Sequence, residues 1–168
     1  MKVKPMMIKK KMQDAIVEQI NKELYSGYLY LSMSAWFEGR GLKGMANWMH
    51  KQAQEEYEHA MKFFNYVYER GGSVVMKAID KPKSTWKSPL DAFSDALAHE
   101  RKVTAMIENL VDIARKEKDK ASESFLQWYV DEQVEEEANA SEIIDKLTLS
   151  KNAPGAMVFI DRDLGARK

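Results

Sequence analysis

The chain has 168 residues, of which 26 are basic and 26 acidic, for a formal net charge of zero. That balance removes any whole-molecule attraction to nucleic acid or to a membrane surface, so neither is expected as a partner. The absence of cysteine excludes a disulfide scaffold, a zinc–thiolate site, an iron–sulfur cluster and a thiol nucleophile.

The chain opens on a basic arm, Lys2, Lys4, Lys9, Lys10 and Lys11, read as a soluble terminus because no apolar stretch precedes a small-residue cleavage site. A helical pattern then runs over about 10–38 and breaks at Gly39, Gly41 and Gly44. A second helix covers about 43–70 and ends at Gly71-Gly72. Pro82 and Pro89 lie in an irregular stretch before a third helix, about 90–116. The polar connection EKDKAS leads into a fourth, about 121–149. Asn152-Ala153-Pro154-Gly155 closes that one, and AMVFIDRDL forms a short fifth helix near 155–164. No run approaches the roughly 18 apolar residues of a membrane span, so a soluble, cytoplasmic protein is expected. At this length, one domain over 1–168 can bury a sizeable core.

Connection lengths set the topology. The stretch 71–89, fully extended, reaches about 60 Å, whereas the second helix is only about 40 Å long. It can therefore run the length of the bundle and start the third helix parallel to the second. The two short connections make antiparallel neighbours. The expectation is an all-α fold: a four-helix bundle with one long crossover between helices 2 and 3, the ferritin-like topology.

Each long helix carries a seam at the 4-3-4-3 spacing of bundle cores. The seams run Ile16, Ile20, Glu23, Gly27, Tyr30, Ser34, Phe37; then Met45, Met49, Gln52, Glu56, His59, Phe63, Tyr66. The third is Phe93, Leu97, Glu100, Thr104, Ile107, Val111, Ala114, and the fourth Leu126, Tyr129, Gln133, Glu136, Ala140, Ile143, Leu147. Every seam has an ionisable group midway, where a bundle should place leucine. Counted from the two tight turns, Glu23, Glu56, His59, Glu100, Gln133 and Glu136 stand at one height. An offset of 77 residues maps Glu23 onto Glu100, Glu56 onto Gln133 and His59 onto Glu136, the mark of an internal duplication.

A lone glutamate on a helix is ordinarily a solvated residue, and a lone histidine a satisfied core residue. Four seam carboxylates at one level are different, because buried like charges repel unless they are protonated or neutralised. No seam lysine or arginine stands at that height. Two divalent cations would balance Glu23, Glu56, Glu100 and Glu136. Oxygen-rich donors with one imidazole and no thiolate suit iron or manganese better than structural zinc. The i, i+3 spacing of Glu56 and His59 puts both heads on one helix face.

At these residues the chain resembles the bacterial and archaeal non-haem ferritins. The resemblance rests on NKELYSGYLYLSM (21–33), NWMHKQAQEEYEHA (47–60), AHE (98–100), FLQWYVDEQVEEE (125–137) and VFIDRDL (158–164). It implies a ferroxidase that oxidises Fe(II) with dioxygen or peroxide and deposits ferric mineral in a shell of 24 like subunits. Glu23, Glu56 and His59 would hold the first iron, with Glu56 bridging to a second completed by Glu100 and Glu136. Gln133 would sit beside the pair. A third iron would fall on Glu55, Glu132 and Glu135, with Glu136 shared, and Tyr30 would lie next to the centre. Three alternatives stand beside it: a haem-containing bacterioferritin, a DNA-protecting miniferritin, and a bundle with no metal. Haem is not expected, since Gln133-Val134-Glu135-Glu136 stands where that relative repeats Glu-x-x-His, and Tyr57 where its haem-ligating methionine would be. A miniferritin would build its site between subunits, and a metal-free bundle leaves the four carboxylates unexplained.

Overall fold

The computed structural model describes residues 7–153 and 155–168. Lys2 and Lys4 of the basic arm, and Pro154, lie outside the described residues. Among the described residues five helices follow in order: α1 Lys10–Glu38, α2 Lys43–Glu69, α3 Pro89–Lys116, α4 Lys120–Leu149 and α5 Ala156–Gly165.

Their ends are set by local chemistry. Ser88 accepts the Asp91 backbone N–H at 3.1 Å and Pro89 occupies the first turn of α3, where its missing N–H costs nothing. Asp119 plays the same part for α4 through Ser122 N at 3.1 Å. Between α1 and α2 the chain reverses through Gly41 at φ +72, a conformation that side chains with a Cβ resist.

Side-chain pairs give the directions. Tyr30 meets Glu100, while Phe37 further along α1 meets Phe93 earlier on α3, so these two run antiparallel. Because α1 and α2 are joined by a tight turn and also run antiparallel, α2 and α3 are parallel. The crossover 70–88 that this requires is pinned along α1. Asn21 Nδ2 donates to Ala78 O at 3.0 Å and Ser32 Oγ to Lys83 O at 2.7 Å. Near its end Trp86 is buried edge-on to Trp36, with Nε1 donating to Asp95 Oδ2 at 2.8 Å. This is the expected four-helix bundle with one crossover and a short fifth helix.

The apolar core is divided. One cluster, around Phe37, Met45, Met49 and Phe93, fills the end near the α1–α2 turn. The other, around Ile16, Phe63, Ile107, Leu126 and Tyr129, fills the opposite end. Between them lies the polar layer. On α3 the expected Phe93, Glu100, Ile107 and Ala114 are buried, but Ala96, Val103 and Leu110 are buried in place of the expected Leu97, Thr104 and Val111, which are half-buried. Because α3 packs on both α1 and α4, its buried face is wider than one ridge and centres between two neighbours.

Helix α5 folds back on the start of α2. Met45 N donates to Asp161 Oδ1 at 2.8 Å, and Gly44 lies so close that a Cβ there would come within 1.6 Å of the Asp161 carbonyl oxygen. Among the described residues no helix is long and apolar enough to cross a membrane.

Candidate metal centre

The polar layer collects one segment from each long helix. Glu23, Glu56, His59, Glu100, Gln133 and Glu136 are all at most 5% exposed. Glu23, Glu56 and His59 each offer a ligand atom within 4.8 Å of the others. His59 serves a second group with Glu132 and Glu136, within the same limit. His59 Nδ1 stands 3.5 Å from Glu56 and Nε2 3.7 Å from Glu132, so the ring faces a carboxylate from each nitrogen. Tyr129 donates to the His59 carbonyl at 2.7 Å, and Trp128 and Tyr129 pack edge-on to the imidazole.

Neutral donors steady the remaining oxygens. Gln19 Nε2 donates to Glu23 at 2.8 Å. Gln52 Nε2 donates to Glu136 at 2.6 Å and to Glu56 at 3.3 Å, tying α2 to α4. Glu100 accepts from the Tyr30 hydroxyl and, at 3.1 Å, from Gln133 Nε2. Gln19 and Gln52 were not singled out as site residues, although each stands four residues before a seam glutamate, on the same helix face. Their spacing was the available signal.

The electrostatics follow from burial without a buried counter-charge. Among the described residues no lysine or arginine is buried. Burial, then the charge of Glu56, pushes the Glu23 carboxyl well above its usual range. Burial, then Glu100 and Glu136, does the same to Glu56. Glu100 is raised by burial against the opposing bonds from Tyr30 and Gln133. Glu136 is pushed up to about 8 by burial and the Glu100 charge. Buried without cations, these carboxyls hold their protons more tightly than solvated ones, and a metal bound by such groups would displace protons.

The third-site candidates are placed unequally. Glu132 is half-buried and faces His59; Glu135 is exposed and belongs to neither group. Glu55 is turned to a tail arginine, with Arg167 Nη2 at 2.6 Å.

A family model described as a ferritin-like domain matches residues 13–150. The chain belongs to the ferritin family. It is 47% identical over 161 residues to a bacterial non-heme ferritin of Bacteroides fragilis, covering 96% of this chain and 100% of that one. A bacterial non-heme ferritin of Staphylococcus aureus is 37% identical over 161 residues, covering 96% and 97%. An open pore ferritin from the hyperthermophilic archaeon Archaeoglobus fulgidus matches with a TM-score of 0.95 at 52% identity, covering 96% of this ferritin chain and 99% of that one.

Proposed function

We propose that this ferritin chain is a ferroxidase that stores iron, oxidising Fe(II) with dioxygen or peroxide at a dinuclear site within one chain. The observation that carries the reading is the layer of four buried carboxylates with one imidazole and no buried cation among the described residues. An oxygen-rich, thiolate-free set suits ferrous and ferric ions. Glu23, Glu56 and His59 would receive the first ion, and Glu56, Glu100 and Glu136 the second, with Gln133 alongside. Glu132, Glu135 and Glu55 are the proposed ligands of a third, with Glu136 shared. Each ferrous ion gives one electron and the oxidant accepts the pair. Binding releases the protons held on the buried glutamates, and Gln19, Gln52, Tyr30 and Gln133 hold the carboxylates in place. Tyr30 is proposed to act by positioning Glu100.

The ferric product would pass to a mineral core inside a shell of like subunits, of 24 by family resemblance, in the cytoplasm. The non-haem reading is favoured over the haem-binding one by Glu136 in place of a second histidine.

Stopped-flow oxidation of Fe(II) in Glu56→Ala and His59→Ala proteins tests the assignment. Each is expected to be slowed about a hundredfold with assembly retained, on the scale seen when metal-site residues are removed. Oxidation at the wild-type rate in both would sink it.

A further inference from the structure

Arg167, the last residue but one, reaches the edge of the polar layer from beyond α5. Its backbone is tethered, with Asn47 Nδ2 donating to Arg167 O at 3.0 Å. Its guanidinium lies over the Trp48 ring, 4.5 Å from the centroid. Nη1 donates to Gln52 Oε1 at 2.9 Å and to Trp48 O at 3.3 Å, and Nη2 to Glu55 Oε2 at 2.6 Å. The Arg167 side chain is 19% exposed and that of Glu55 39%.

Two consequences follow. A guanidinium carries donors only, so it must face the oxygen of the Gln52 amide. The amide nitrogen is thereby turned toward Glu136 and Glu56, the direction in which it donates. Second, Glu55 already holds a cation. Arg167 Nη2 sits on the Glu55 carboxylate, so an ion that takes Glu55 as a ligand must displace the arginine.

We infer that Arg167 is a tail latch that competes with a divalent cation for Glu55, so that a third ion binds only as the guanidinium lets go. The latch rests on the proposed reading of Glu55, Glu132, Glu135 and Glu136 as a third cation site. Arg167 is a positioning residue: it orients Gln52 and neutralises Glu55 while that site is empty. The pair is exposed enough to be screened by water, so it opens reversibly. A divalent ion brings twice the charge to several carboxylates at once, and this lets it displace a single guanidinium. The latch therefore weakens the third site relative to the inner pair.

Co(II), which air does not oxidise at such oxygen-rich sites, is the probe. Isothermal titration of the assembled protein would compare wild type, Arg167→Gln, Glu55→Gln and the double variant. In Arg167→Gln, the weakest Co(II) site is expected to tighten relative to the tight pair by about fivefold, the scale of a partly exposed ion pair. In the Glu55→Gln background the same change should shift that ratio by less than about twofold, because the contested carboxylate is gone. Arg167→Lys, which keeps the charge on Glu55 but loses the fork to Gln52, should tighten the site less than Arg167→Gln does. The latch is overturned if Arg167→Gln leaves the ratio unchanged or weakens the site, if its effect survives in the Glu55→Gln background, or if no third Co(II) binds in either protein. The dinuclear reading fails separately, if the tight pair persists in Glu56→Ala.

Discussion

The two helical hairpins are echoes of each other at an offset of 77 residues, yet they hold their carboxylates differently. In the first, Glu23, Glu56 and His59 converge so that their ligand atoms face one another. In the second, Glu100 is satisfied by Tyr30 and Gln133. Its partner Glu136 is held by Gln52 from the opposite hairpin. The substitutions that break the echo, Glu56 to Gln133 and His59 to Glu136, are responsible. Gln133 supplies a donor where Glu56 supplies charge, so Glu100 has its partner within its own hairpin. The ligand atoms of Glu23, Glu56 and His59 converge on one another, whereas Glu100 is closed off by Tyr30 and Gln133.

The largest effect should come from breaking that asymmetry. Glu23→Gln is expected to weaken the first Co(II) ion by about a hundredfold, since it removes a converging charge from a buried ligand set. Glu100→Gln should weaken that first ion by less than about tenfold and fall mainly on the second. Isothermal titration reads both. Equal losses in the two variants would mean that the ions bind as one unit and that the hairpins are not distinct.

A smaller effect concerns the metal-free protein and sharpens how much charge the layer tolerates. Burial raises Glu23, Glu56 and Glu100, and Glu136 to about 8, above the ordinary value of 4.5. The folded state therefore binds more protons than the unfolded chain across that window, and stability falls as pH rises. The stabilisation is complete below pH 4.5 and is lost through pH 8 for Glu136. Scanning calorimetry of the metal-free protein should show a melting temperature about 5 °C or more lower at pH 8 than at pH 5.5. Added Co(II) should shrink the difference by replacing the protons. A melting temperature that rises with pH would show that the carboxylates are solvated.

The fold was largely legible because it depends on periodicity and connection length. The 4-3-4-3 seams and the long crossover sufficed for topology, and the midway glutamates were conspicuous for being where leucine belongs. Three positions of the α3 stripe, Leu97, Thr104 and Val111, were misplaced because a helix with two packed neighbours buries a face wider than a single ridge, and one-dimensional spacing cannot say which side gains. Within the layer, charged residues were readable and their neutral supports less so. Gln19 looks like an ordinary surface glutamine until its carboxylate partner is known to be buried, and Gln52, though on the seam, gives no sign in sequence of its partner on α4. Arg167 lay beyond reach altogether. Its place depends on α5 turning back at Gly44, so its approach to Glu55 has no sequence spacing to announce it.

The smallest effect tests a bond between the hairpins. The Tyr30 hydroxyl leaves α1 to donate to Glu100 on α3, and burial followed by the Glu100 charge holds that hydroxyl protonated, well above its usual range. Tyr30→Phe removes the donor and leaves a buried carboxylate oxygen short of a partner. The loss is expected to be about 1 to 2 kcal/mol in denaturant melts at pH 8. It should shrink as pH falls, because burial holds the Glu100 carboxyl above its usual range and a neutral carboxyl needs the bond less. If Glu100 belongs to the second hairpin in function as well as in place, Tyr30→Phe should alter the second Co(II) ion and spare the first. An equal change in both would make the tyrosine a coupling element, and the hairpins one site.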